Sequence, residues 1–130
     1  MSHDFSVRVY YEDTDLAGIV YYANYLKFIE RARTEWVRDR GVDQSRLKAE
    51  SGIVFAVRRL HADYLAPAHF DDVLTVRTEL MKETGARMIL RQTVRREDET
   101  LFEAEVTLVA LSAQGKPARL PADVRRSLTQ

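Results

Sequence analysis

The chain has 130 residues and a mass of 15.0 kDa, with 45% apolar and 31% charged residues, enough for a core of its own and too apolar for a disordered segment. Twenty basic and twenty acidic residues cancel, which removes the broad positive field that nucleic acid or an anionic membrane requires. No cysteine is present, so disulfides, a thiol nucleophile and cysteine-bound metal are excluded.

The first residues, MSHDFSVRV, lack the basic and apolar regions of a signal peptide. No apolar run approaches the ~18 residues of a membrane span. The expected location is the cytoplasm, and the expected organisation is one domain over residues 1–130.

Residues 7–11 alternate, with Val7, Val9 and Tyr11 on one face and Arg8 and Tyr10 on the other, which predicts a strand. A loop with Asp13, Thr14, Asp15 and Gly18 follows. From Asn24 the period becomes helical: Tyr25, Phe28, Ile29, Ala32 and Trp36 share one stripe, with Lys27, Arg31, Thr34 and Arg38 opposite. Asn24 is the predicted N-cap and Gly41 the predicted stop, about five turns later. Residues 43–51 predict a second helix, capped by Asp43 and ended at Gly52.

Four strands are predicted next. Residues 53–65 are β-branched or aromatic at many positions, up to Pro67. Residues 72–80 align Leu74, Val76 and Leu80; residues 87–95 align Met88, Leu90 and Val94 after the Thr84-Gly85 turn. Residues 101–111 align Phe102, Ala104, Val106, Leu108 and Ala110, and Pro121 opens a short terminal helix. Four strands on short turns predict an antiparallel meander with the long helix laid on one face, an α+β arrangement.

Chemistry concentrates where the Asp/Gly loop runs into the helix, because a carboxylate there sits near unpaired backbone N–H groups that can hold a developing negative charge. Each aspartate also has a plain reading as a turn or cap residue. A calcium loop fits Asp13, Asp15 and Gly18 at its first, third and sixth positions but fails at Ala17 and Asn24, where the fifth and twelfth require ligands. His61 and His69 are too few and wrongly spaced for a metal site. Glu30 is one helical turn from Arg33 and is expected to pair with it, the alternative being that it faces a site across a dimer.

The run Tyr11-Glu12-Asp13-Thr14-Asp15-x-x-Gly18-x-Val20-Tyr21-Tyr22-x-x-Tyr25, with Phe28, Glu30 and Arg33, resembles the signature of the 4-hydroxybenzoyl-CoA thioesterase family of hotdog proteins. The wording EDTD, GIVYY and FIERARTEW is most similar to its YbgC branch, acyl-CoA thioesterases associated with the Tol-Pal system, and residues 71–76 resemble the start of the family's third strand. One position departs: the YbgC branch usually has histidine where this chain has Tyr22. The 4-hydroxybenzoyl-CoA branch has tyrosine there, so the departure bears on mechanism and not on family.

The resemblance implies a hotdog fold, a long helix on a curved antiparallel sheet, and hydrolysis of acyl-CoA to acid and coenzyme A without metal or redox cofactor. It maps the catalytic carboxylate onto Asp15, as nucleophile or general base, and the oxyanion site onto backbone N–H groups near Tyr22, with Gly18 allowing the turn between them. Tyr21 and Tyr22 are candidates for an acyl pocket, whereas Tyr25 and Phe28 are expected in the core. Arg58, Arg59, Lys82 and Arg87 fall where a hotdog protein meets the phosphates of coenzyme A. The resemblance further implies a homodimer or homotetramer with sites between subunits, and it admits acyl carrier protein as a partner. The mixed outer face of the last strand, Leu101, Glu103, Glu105, Thr107, Val109 and Leu111, suits a contact between dimers. Two rivals remain: an enoyl-thioester hydratase, and a binding module for acyl carrier protein or lipid-synthesis enzymes.

Overall fold

A computed structural model describes residues 2–130. Its elements in chain order are β1 (Ser2–Arg8), a 3-10 turn (Tyr11–Asp13), α1 (Asn24–Asp39), α2 (Gln44–Ser51), β2 (Val54–Tyr64), β3 (Val73–Glu83), β4 (Arg87–Arg96), β5 (Glu99–Leu111) and α3 (Ala122–Thr129). All pairings are antiparallel, and the sheet runs β1-β3-β4-β5-β2. This is the expected α+β hotdog arrangement.

Two details correct the sequence reading. The meander holds only for β3-β4-β5, because β2 lies beyond β5 at the far edge. Residues 65–72 are not a hairpin turn; they cross the end of the sheet, held by Leu65 and Ala66 N–H on the Leu101 carbonyl and by Asp71 N–H on the Val9 carbonyl. The first strand also lies earlier than residues 7–11. The chain leaves the sheet after Arg8 because Tyr10 N–H donates to Asp13 Oδ2 at 2.8 Å and closes the 3-10 turn, leaving Tyr10 and Tyr11 exposed.

Helix α1 buries Tyr25, Phe28, Ile29, Ala32, Trp36 and Val37. They pack on the inner sheet face of Leu74, Val76, Leu90, Val94, Phe102, Ala104 and Val106, so the periodic stripe read in the sequence is the core. Gly41, at φ 82°, ends the helix region in a conformation that glycine adopts freely. Asp43 caps α2 through Oδ1, which accepts from Arg46 N–H at 3.1 Å. Asn24 is not the cap of α1: it is the first helical residue, and its Nδ2 donates instead to the Asp13 carbonyl at 2.9 Å. That bond ties the helix start to the aspartate loop.

One buried polar cluster interrupts the core. Gln92, fully buried, donates from Nε2 to Ile29 O and Thr78 Oγ1, and its Oε1 accepts from Arg33. Arg33 also pairs with Glu30 at 2.5 Å, as expected from their spacing. Burial pushes the Arg33 guanidinium below its usual range and Glu30 opposes that shift.

Candidate active site

The aspartate loop is built by short-range bonds. Asp15 N–H donates to Ile19 O at 2.9 Å, Gly18 N–H to Asp15 O at 3.0 Å, and Thr14 bridges to Val20. Gly18 has φ 80°, which explains glycine at the reversal. Asp13 and Asp15 differ in what their carboxylates do. Asp13 Oδ2 is used by Tyr10 N–H, and its carbonyl takes Tyr21 N–H and Asn24 Nδ2, so its contacts hold the loop. Asp15 is exposed; Ala17 N–H donates to Oδ1 at 2.9 Å, and Oδ2 has no partner among the described residues. One oxygen orients the carboxylate and the other is open to a ligand.

The loop is stitched to the crossing segment by Val20 N–H on Ala68 O and by a bridge between Ile19 and His69. Behind it Tyr25 is 3% exposed. Its hydroxyl accepts from Ala68 N–H at 3.1 Å and its ring stacks on Phe102 with centroids 5.0 Å apart. Burial raises the Tyr25 pKa against the opposing Ala68 bond, so the phenol stays protonated. Tyr25 and Phe28 are thus core residues, although Tyr25 also forms part of a cavity wall.

At the start of α1, Tyr22 N–H and Ala23 N–H have no acceptor among the described residues. Beside them lies a mostly apolar cavity of about 360 Å³ walled by Val20, Tyr22, Tyr25, Tyr64, Leu65 and Pro67. A larger groove of about 600 Å³ sits at the other end of α1, around Thr34, Arg38, Asp43 and Gln44. Of the two, the smaller cavity is the one whose wall includes Tyr22, at the start of α1. The sequence marks Pro67 as a strand end, but nothing in it marks Tyr64, Leu65 and Pro67 as a cavity wall beyond an aromatic residue three positions before that proline.

The remaining candidates lie elsewhere in the chain. Tyr21 is exposed and meets Tyr22 edge-on with centroids 5.0 Å apart, and neither Asp15, Gly18 nor Tyr21 walls the cavity. Lys82 and Arg87 share a recess of about 100 Å³ with Thr84 and Ile89 at the β3–β4 hairpin. Arg59 is in the same cross-sheet row as Lys82, through Thr107 and Ile89, and Arg58 falls at a register shift in β2. Lys82 and Arg87 lie toward the end of the sheet where β2 begins, and Arg58 and Arg59 lie midway along β2; Asp15 sits at the end where β2 finishes. A single chain does not bring the two groups together.

The thioesterase-like superfamily profile matches residues 9–128. An acyl-CoA thioester hydrolase YbgC from Escherichia coli O6:H1 is 42% identical over 91% of this chain and 89% of its own length. An acyl-CoA thioesterase YbgC from Haemophilus influenzae is 41% identical over 93% of this chain and 90% of its own. The crystal structure of a probable thioesterase from Bartonella henselae superposes with a TM-score of 0.89 at 37% identity, covering 93% of this chain and all of that one.

Proposed function

The chain belongs to the thioesterase-like superfamily and is an acyl-CoA thioester hydrolase; from that premise we propose that Asp15 delivers the attacking oxygen and that the unpaired N–H groups at the start of α1 receive the oxyanion. The observation that carries this reading is their shared frame. Asp15 sits on a loop whose neighbour Asp13 is bonded to Tyr21 and Asn24, and between and beside those two residues lie the free Tyr22 and Ala23 N–H groups.

Thioester hydrolysis needs little more than these groups. The leaving thiol, with a pKa of about 8.5 like that of cysteine, departs as a thiolate without strong acid help. As a base, Asp15 takes a proton from water while the water oxygen bonds to the carbonyl carbon and the carbonyl electron pair moves to oxygen. Collapse of that intermediate breaks the carbon–sulfur bond and releases coenzyme A. As a nucleophile, Asp15 forms a mixed anhydride that water then opens. Both routes place the same charge on the same oxygen.

Assembly follows from the opposite placement of Asp15 and the basic hairpin. Strand β2 is an edge whose exposed residues include Val54, Val57, Leu60 and Tyr64 beside Arg58, Arg59, His61 and Asp63, and an unpaired strand edge invites a second strand. Antiparallel pairing of two β2 edges lays the Tyr64 end of one copy beside the Val54 end of the other. The second copy's Lys82 and Arg87 then approach the end that carries Asp15, where the phosphates of coenzyme A need cations. The working unit in this reading is a dimer with shared sites.

Steady-state thiol release across a panel of acyl-CoAs tests the reading: at least one acyl-CoA should turn over, and a panel with no turnover would overturn it. Tyr22→Phe keeps the backbone N–H and should leave turnover near wild type, well short of the roughly hundredfold loss that follows removal of an oxyanion donor. Abolished turnover in Tyr22→Phe that is retained in Tyr22→His would instead assign the side chain a direct part.

A further inference from the structure

The two free N–H groups are held by different devices. A peptide unit is planar, with its N–H pointing opposite to its carbonyl, so whatever holds the carbonyl also aims the N–H. The unit that bears Tyr22 N–H has the Tyr21 carbonyl, which accepts from Asn24 N–H at 2.8 Å within the first turn of the helix region. The unit that bears Ala23 N–H has the Tyr22 carbonyl, and its partner comes from far along the chain: the Tyr64 hydroxyl donates to it at 2.9 Å across 42 residues.

We infer that Tyr64 is a positioning residue for hydrolysis, its hydroxyl fixing and polarising the Tyr22–Ala23 peptide so that Ala23 N–H serves as the second donor to the oxyanion. This rests on the proposed oxyanion site. Tyr64 is built for the task by its surroundings. Its ring meets Phe102 edge-on at 5.0 Å and Tyr25 at 5.6 Å, both buried, and it faces Tyr22 at 6.1 Å. The aromatic cluster therefore sets the ring, and the ring sets the hydroxyl. Partial desolvation, with the neighbouring Tyr22 and Tyr25 hydroxyls, raises the Tyr64 pKa, which favours the protonated, donating form. A hydrogen bond at a peptide carbonyl also strengthens donation from the N–H of that same peptide. As the last residue of edge strand β2, Tyr64 links the sheet edge to the helix start at one bond.

Tyr64→Phe isolates the hydroxyl, since the ring keeps its contacts with Phe102 and Tyr25. The expected result is a fall of about tenfold in kcat, less than the loss of a whole oxyanion donor, with KM and the affinity for a non-hydrolysable thioether analogue of the acyl-CoA unchanged. Tyr64→Leu, which removes the ring as well, should lower kcat further and also raise KM, because the cavity wall changes. Wild-type turnover in a folded Tyr64→Phe protein would overturn the inference while leaving thioesterase activity standing. So would a loss confined to KM and analogue affinity, which is the mark of a wall residue only. Absence of acyl-CoA hydrolysis in the wild-type protein itself would instead remove the reading on which the inference rests.

Discussion

Asp15→Asn lowers kcat by roughly 10²–10⁴, the range for a lost acid–base group, and leaves the melting temperature unchanged. The fold tolerates the change because Asp15 is exposed and because Asn keeps an oxygen for Ala17 N–H, the one bond its side chain makes among the described residues. What disappears is the free charge on Oδ2. Asp13→Asn makes the instructive contrast. Asp13 Oδ2 closes the 3-10 turn through Tyr10 N–H, so its replacement should lower the melting temperature and affect kcat only through loop geometry. Thermal melts and thiol release on both variants separate the two roles. A folded Asp15→Asn protein with near wild-type turnover would remove Asp15 from the reaction.

Leu60→Glu should abolish activity by dissociating the proposed dimer. Leu60 is 39% exposed near the middle of edge strand β2, so a charge there is compatible with a folded protomer. Across a two-fold axis through paired β2 edges, the same substitution sets like charges against each other, which costs several kcal/mol of association. Light scattering should report a wild-type dimer or larger and a monomeric variant, with thiol release lost in step. An active monomer at assay concentration, wild type or variant, would overturn both the assembly and the shared site.

How much was legible in the sequence depended on how locally each feature is determined. The stripe Tyr25, Phe28, Ile29, Ala32 and Trp36 was readable because periodicity and burial coincide there, whereas in β5 the inner row from Phe102 to Ala110 was readable but Leu101 and Thr107, expected on the outer face, are buried as well. Asp43 and Gly52 announced α2 by cap chemistry within a few residues. The place of β2 was not readable: its residues suit either a central or an edge strand, and its partner is set by where residues 65–72 anchor, on Leu101 and Val9. Arg33, Thr78 and Gln92 carry no sequence pattern that marks burial, yet they bond to one another inside the core. The loop at Asp15 was legible as a reversal at Gly18 and, through its resemblance to a family, as a candidate site. Tyr64 was illegible because its hydrogen-bond partner is a backbone carbonyl 42 residues away, and no side-chain pattern marks a carbonyl.

Thioester hydrolysis is separated from its rivals by following thiol release and the enoyl ultraviolet absorbance together while the wild-type protein acts on a 2-enoyl-CoA. Free thiol should form, with no absorbance loss running ahead of it, because the bond broken is the one between carbonyl carbon and sulfur. Loss of absorbance with the thioester intact would contradict hydrolysis in favour of water addition to the double bond. Unchanged thioester and unchanged absorbance, here and across saturated acyl-CoAs, would contradict it in favour of a protein that binds and does not hydrolyse.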